Sequence, residues 1–322
     1  MTPLLEISDL EIHFRRGDGG YAAAVRGVDL AVQEGQIVGL VGESGSGKSQ
    51  TAAAVLGLTP PHGRVVRGRI GFRGRNLLGL GPGEWRGLRG RQIALIPQEA
   101  FGALNPCLRV GSQVAESLEA HLAMKGSPAR RRVVELLEVV GMNEPERVAK
   151  LYPHQLSGGM RQRVTIAIAL ACEPDLLLAD EPTTALDAVT HRQILELLAA
   201  AARSRGGGLL LITHDLVQAR WIGDRIAVMY AGRVVEEGPA DRVFAEPRHP
   251  YTRGLLRSSL PIEAQREAVP EIPGRPPNLW DLPAGCAFHP RCDRATAECR
   301  SEDPGPSREA SERSFQCHHP CP

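Results

Sequence analysis

Gly42-Glu43-Ser44-Gly45-Ser46-Gly47-Lys48-Ser49 is the stretch that decides the fold. It fits G-x-x-x-x-G-K-[ST] in full and lies between an apolar run, residues 37–41, and a helix-forming run, residues 51–58. The order reads as strand, phosphate loop, helix. The glycines let consecutive backbone N–H groups turn inward on one phosphate chain, Lys48 has the reach for the β- and γ-phosphates, and the Ser49 hydroxyl can hold Mg²⁺. A chance glycine-rich turn has no reason to fall between a strand and a helix.

The remaining composition bounds what the nucleotide could serve. With 322 residues and 42% hydrophobic content, the chain can bury one large α/β domain and carry an appendage. A formal net charge of +1 gives no electrostatic argument for nucleic acid as a partner. Eight arginines between Arg64 and Arg91 form a basic stretch without interleaved aromatics, which reads as a solvated surface. No apolar run approaches the roughly 18 residues of a membrane span, and no basic segment precedes a hydrophobic one at Met1-Thr2-Pro3, so a cytosolic chain is expected.

Seven cysteines are unevenly spread. Cys107 and Cys172 read as buried apolar-type residues, whereas Cys286, Cys292, Cys299, Cys317 and Cys321 crowd the end, where a reducing compartment favours metal over disulfide. Eleven of the 25 prolines follow Leu260, so that tail cannot be mostly helix or central strand. A boundary is expected near residues 245–275.

Along the chain, Leu5, Ile7, Leu10, Ile12 and Phe14, then Val25, Val28, Leu30 and Val32, nearly alternate with polar residues, as in an antiparallel strand pair. The loop between them carries Tyr21; Tyr21 and Phe14 are both candidates to stack on an adenine. Strands are expected at 68–72 and 93–97, the latter leading to Gln98. Residues 110–151 switch to helical periodicity, a helical insert. Ser157-Gly158-Gly159-Met160 precedes an apolar helix at 164–171 and offers a second anion site at a helix start. Residues 176–179 read as a buried strand ending in Asp180-Glu181: Asp180 suits the Mg²⁺ held by Ser49, and Glu181 can orient a water on the γ-phosphate. His214 follows the next buried strand, where sheets of this class bind ligands.

Taken in order, Gly42 to Ser49, Gln98, Leu156 to Met160, Asp180-Glu181, Asp187 and His214 resemble the Walker A, Q-loop, signature, Walker B, D-loop and H-loop motifs of the ATPase subunit of ABC (ATP-binding cassette) transporters. The match covers roughly residues 4–245. Met160, where glutamine is commoner, together with Ile96-Pro97-Gln98-Glu99, Leu104-Asn105-Pro106 and His249-Pro250-Tyr251-Thr252, resembles the dipeptide/oligopeptide importer branch. The resemblance implies an ABC-type α/β phosphate-loop fold with a mixed sheet, an antiparallel β subdomain and a helical subdomain at about 105–155. It places a nucleotide-binding domain in 1–245 and an importer-type extension in 246–322. ATP would be surrounded by Gly42, Ser44, Gly45, Ser46, Gly47, Lys48, Ser49, Gln50 and Tyr21, with Ser49, Gln98 and Asp180 at Mg²⁺. Glu181, His214 and Gln98 would be catalytic.

The family further implies a head-to-tail dimer in which Ser157, Gly159 and Met160 of one subunit face the ATP of the other and Asp187 lines the seam. The expected partners are a second ATPase subunit, commonly a paralogue, two transmembrane permeases, and a periplasmic or lipid-anchored solute-binding protein. The site of action is the cytoplasmic face of the plasma membrane, and the cargo a di- or oligopeptide. Nickel, glutathione or another small solute is the alternative cargo, and a soluble non-transport ABC ATPase the alternative class. Gly285-Cys286-Ala287-Phe288-His289-Pro290-Arg291-Cys292 resembles the branch's cysteine motif, associated with a [4Fe–4S] cluster on Cys286, Cys292, Cys299 and Cys317. Four thiolates suit Zn²⁺ as well, and Cys321, His318 and His319 are possible substitute ligands.

Overall fold

The computed structural model describes residues 2–17, 19–184, 186–259, 271–310 and 312–322. The chain runs β1 (Leu5–Arg15), β2 (Tyr21–Val32), β3 (Ile37–Val41), α1 (Lys48–Val55), β4 (Gly63–Phe72), β5 (Arg75–Asn76), α2 (Pro82–Leu88) and β6 (Ile93–Ile96). It continues through α3 (Ala100–Ala103), α4 (Val110–Leu122), α5 (Gly126–Val139), α6 (Pro145–Val148), α7 (Gly158–Leu170), β7 (Leu176–Asp180), α8 (Ala188–Arg203) and β8 (Gly208–Thr213). It closes with α9 (Leu216–Ile222), β9 (Arg225–Tyr230), β10 (Arg233–Pro239), α10 (Ala240–Ala245), α11 (Pro250–Ser259), α12 (Ala297–Ser301), β11 (Ser307–Glu309) and β12 (Arg313–Phe315). Two compact units result, one of Met1–Gln33, Ile37–Gly79 and Leu211–Pro322, the other of Glu34–Gln36 and Leu80–Leu210.

In the first unit, β2, β1, β4 and β5 form an antiparallel sheet in that order. The alternation read from the sequence is what builds it: Leu5, Ile7, Leu10 and Ile12 are buried, and their neighbours stay wetter. A second sheet runs β11-β12-β10-β9-β3, with β3 and β9 parallel and the other pairs antiparallel, hence mixed. All five residues of β3 are buried, as a strand covered on both faces requires. Its first N–H, on Ile37, donates to Asp224 Oδ2 at 2.7 Å, so the strand end is satisfied by a side chain. Behind β9 and β10 lies a core of Leu216, Ala219, Val228, Tyr230, Val243, Tyr251, Leu255 and Phe288, against which Cys286 and Cys292 pack.

In the second unit, β6 and β7 pair in parallel, and α7 packs on β6 and against α3, α4 and α5. α5 buries Ala129, Val133, Leu136 and Leu137, one helical stripe. Gln113 of α4 fixes the preceding loop: its Oε1 accepts from Asn105 N at 2.9 Å while its Nε2 donates to the carbonyls of Asn105 and Leu108. The fold is an α/β phosphate-loop fold with a mixed sheet, an antiparallel β subdomain and a small irregular C-terminal tail. Among the described residues no helix is long and apolar enough to cross a membrane.

Several sequence expectations shift. The helix after the phosphate loop begins at Lys48 rather than at residue 51, with the left-handed Gly47 as its N-cap, and the signature helix begins at Gly158 rather than at 164, where the Ser157 side chain caps a first turn of small residues. Tyr21 opens β2 instead of lying in the loop, paired with Arg15. Cys107, expected to be buried, is exposed, whereas Cys172 is buried. The tail also contributes two short strands, β12 adding to β10 through Glu236–Phe315 pairing; two three-residue segments carry too few residues for a period-2 signal.

Candidate nucleotide site

The phosphate loop leaves β3 at Val41 and becomes α1 at Lys48. Gly47 is the N-cap with φ of 107°, a left-handed conformation that only glycine adopts without strain. Gly42 lies against β9, where a Cβ would come to 2.2 Å of the Met229 carbonyl oxygen, so the loop depends on glycine for space there. Lys48 is buried, and its Nζ donates to the carbonyls of Gly42 at 2.7 Å and Glu43 at 2.9 Å and to Ser46 Oγ at 3.4 Å. The ammonium is thereby folded back over the loop's own carbonyls. Ser44, Gly45 and Ser49 are exposed, and Ser46 is buried. Gln50 Oε1 is buried with no hydrogen-bond partner, an orphaned acceptor of the sort that a ligand or water satisfies. An anion at the start of α1 would meet the Lys48 charge and the helix N–H groups together.

His214, in the same unit, is exposed just past β8 and directly before Asp215, which caps α9 by accepting from Val217 N and Gln218 N. Tyr21 is 54% exposed, with the Arg64 guanidinium 5.4 Å from its ring centroid. Phe14 is half-buried.

In the second unit, Gln98 is exposed two residues beyond β6. Asp180 ends β7 and Glu181 follows with φ of 45°. For a residue with a side chain this left-handed conformation costs about 1–2 kcal/mol, and such strain gathers at functional sites. Thr184 Oγ1 donates to the Glu181 carbonyl oxygen and Oε2, both at 3.1 Å, fixing that carboxylate. Neither the φ nor the Thr184 contact was legible in the sequence; a Thr three residues after a strand-end Glu is the only trace.

Ser157 caps α7, its Oγ accepting from Met160 N at 3.2 Å. Asp187 caps α8 in the same way through Thr190 N at 3.0 Å. Both caps, with Gly158, Gly159 and Met160, line one open concavity of about 740 Å³, so two helix N-termini share it. That juxtaposition joins residues 30 apart, which spacing alone could not bring together.

The tail cysteines converge in the first unit. Cys286, Cys292, Cys299 and Cys317 line one cavity of about 10 Å³ with His249, Phe288 and His318; Cys321 is buried outside that lining. Backbone N–H groups two residues on, at Phe288, Arg294 and His319, donate to the sulfurs of Cys286, Cys292 and Cys317. Burial raises the thiol pKa of Cys286 and Cys292, and that of Cys317 to about 12, with the neighbouring sulfurs adding repulsion; burial also raises that of Cys321. The donor chemistry fits a thiophilic metal. However, among the described residues no group of three or more His, Cys, Asp or Glu side chains is arranged to hold a metal ion.

A phosphate loop opening a helix, a strand leading to Asp-Glu and a second helix start at Ser157-Gly158-Gly159 define an ATP-hydrolysing cassette. The ABC transporter family matches residues 25–184, and the C-terminal region of oligopeptide/dipeptide transporters matches residues 235–299. The dipeptide transport ATP-binding protein DppD of Escherichia coli (strain K12) is 44% identical over 98% of this chain and 97% of its own length, and the oligopeptide transport ATP-binding protein OppD of the same strain is 46% identical over 94% and 89%. The chain belongs to this family, the ATP-binding subunits of dipeptide and oligopeptide ABC transporters. Among solved structures, the dimeric cassette MJ0796 in a post-hydrolysis state bound to ADP and Pi has a TM-score of 0.67 and 32% identity, covering 73% of this chain and 98% of that one.

Proposed function

We propose that this chain is one ATPase subunit of a membrane importer and couples ATP binding and hydrolysis to the inward transport of di- or oligopeptides. The observation that supports the reading is that one chain holds two separate helix N-termini built of phosphate-binding residue types, at Lys48 and at the Ser157–Asp187 concavity. In a head-to-tail pair, the first grips ATP and the second closes over the partner's γ-phosphate. Residues 1–245 form the nucleotide-binding domain and 246–322 the importer-type extension. Its partners are a second ATPase subunit, two permeases and a solute-binding protein, and it works at the cytoplasmic face of the membrane.

Mg²⁺ bound with ATP would neutralise charge on the phosphates, and Ser49, Gln98 and Asp180 are the residues that would hold it. Lys48 releases the loop carbonyls for the phosphates, Glu181 takes or orients the attacking water's proton, and His214 meets the γ-phosphate. Gly42, Ser44, Gly45, Ser46, Gly47 and Gln50 supply the remaining loop contacts, and Tyr21 lies under the adenine. Cys286, Cys292, Cys299 and Cys317 would hold a [4Fe–4S] cluster on the resemblance of residues 285–292 to the branch's cysteine motif; their convergence on one lining supports the reading, while the cavity of about 10 Å³ requires the four thiols to move apart to admit it.

Three measurements test this. Lys48→Ala loses MgATP binding; unchanged affinity removes the phosphate-loop assignment. Membranes holding the intact complex take up labelled dipeptide only with ATP; uptake of nickel or glutathione in its place reassigns the cargo. Anaerobically purified protein carries iron and acid-labile sulfide; zinc without iron replaces the cluster.

A further inference from the structure

Glu43 places a carboxylate in the phosphate loop, where its charge repels the anion the loop exists to bind. It is not left to itself. Arg291, from the short 3-10 turn His289–Arg291 between Cys286 and Cys292, holds it in a bidentate pair, Nη1 to Oε2 at 2.6 Å and Nη2 to Oε1 at 3.0 Å. The Arg291 side chain is 5% exposed and that of Glu43 26%. The guanidinium is itself oriented by its Nε donating to the Pro273 carbonyl at 2.8 Å. Burial works against its charge, yet the hydrogen bonds and charge of Glu43, with the Tyr230 hydroxyl, outweigh that and hold its pKa above the ordinary value.

The backbone of Glu43 is tied to the same region. Its N–H donates to the hydroxyl of the buried Tyr251 at 2.8 Å, and its carbonyl accepts from Lys48 Nζ at 2.9 Å. Tyr251 and Tyr230 pack with Phe288, three residues before Arg291, at centroid distances of 4.5 to 5.4 Å. A continuous set of contacts therefore runs from the cysteine-bearing turn through Arg291 and Glu43 to the lysine that grips phosphate.

We propose that Arg291 is a positioning residue of the phosphate loop: by neutralising and clamping Glu43, the cysteine-rich tail sets the loop's affinity for the nucleotide triphosphate. The tail is thus part of the ATP grip. This rests on the reading of residues 42–49 as the ATP site, which wild-type binding and its loss in Lys48→Ala test separately. At an effective dielectric near 20, an uncompensated carboxylate in the same loop weakens anion binding by about tenfold or more.

The experiment measures equilibrium binding of MgATP, through a fluorescent ATP analogue, to the full-length chain at low salt. Arg291→Met, of similar bulk, is expected to lose about tenfold in affinity, and adding Glu43→Gln to it restores most of that loss, because the neutral amide no longer repels phosphate. Raised salt shrinks the Arg291→Met defect. Wild-type affinity in Arg291→Met overturns the proposal, and so does a loss that Glu43→Gln fails to rescue, since damage to the tail's packing is blind to the charge at residue 43. If Arg291→Met does not fold, Glu43→Gln alone decides: binding at least as tight as wild type supports the proposal, and a tenfold loss overturns it.

Discussion

Glu181 shows how a single residue declares its use through its backbone. It stands immediately past β7 in a left-handed conformation, with its carboxylate held by the Thr184 hydroxyl. Strain of about 1–2 kcal/mol is tolerated where the side chain's direction matters more than stability. Replacing Glu181 by Gln preserves shape, the Thr184 contact and the backbone while removing the group that accepts a proton. MgATP affinity is expected to stay within about twofold of wild type, and phosphate release to fall by about 100-fold or more, the usual worth of a positioned general base. Substantial remaining hydrolysis in a single-turnover assay takes the role away from Glu181. By contrast Lys48, folded onto the carbonyls of Gly42 and Glu43, is proposed as a binding residue, and its removal is expected to show in affinity before turnover.

At the level of elements, the helix starts carry the argument. Ser157 caps α7 and Asp187 caps α8, each by accepting from the N–H three residues on, and both face one concavity. A cap and a phosphate ligand make different demands on residue 157. Aspartate caps a helix as well as serine does, so Ser157→Asp should leave thermal unfolding near wild type, whereas its charge repels a partner's γ-phosphate. With Glu181→Gln in the background, light scattering should find ATP-induced dimers for Ser157 and monomers for Asp at this position. Dimers in both would remove the signature turn from the interface. The periodic elements were readable in the chain: the alternation of β1, the apolar run of β3 and the stripe of α5 each follow from which side chains must be buried. What escaped reading is of another kind. The first turns of α1 and α7, Lys48-Ser49-Gln50-Thr51 and Gly158-Gly159-Met160-Arg161, are made mostly of polar residues and glycine and carry no hydrophobic period, so both helices begin earlier than periodicity indicates. The Arg291–Glu43 pair spans 248 residues, and no local pattern encodes such a contact.

For the molecule as a whole, the question is what the last 80 residues contribute to the unit they belong to. The tail joins the core behind β9 and β10 through Tyr251, Leu255 and Phe288, and it is tied there by buried charge as well. Glu236 of β10 is fully buried, and its carboxylate accepts from Arg313 Nη2 at 2.6 Å and from the backbone N–H groups of Arg248 and His249, both at 2.8 Å. Arg313 is 2% exposed and opens β12, the tail strand paired with β10. Arg248 reaches the tail a second time, through Glu309 at 2.9 Å and the Cys321 carbonyl at 2.9 Å. An ion pair this deep adds little compared with apolar residues of the same size, but removing one partner leaves a charge without compensation. Arg313→Met keeps the bulk and removes the cation, so the Glu236 carboxylate retains only two backbone donors. Unfolding by urea should then show a loss of about 3–5 kcal/mol. Glu309→Gln, which touches only the half-exposed Arg248 pair, should cost under about 1 kcal/mol. If both variants unfold at the same urea concentration as wild type, the tail is an appendage to the nucleotide-binding unit; a large difference between them shows that Arg313 closes its sheet.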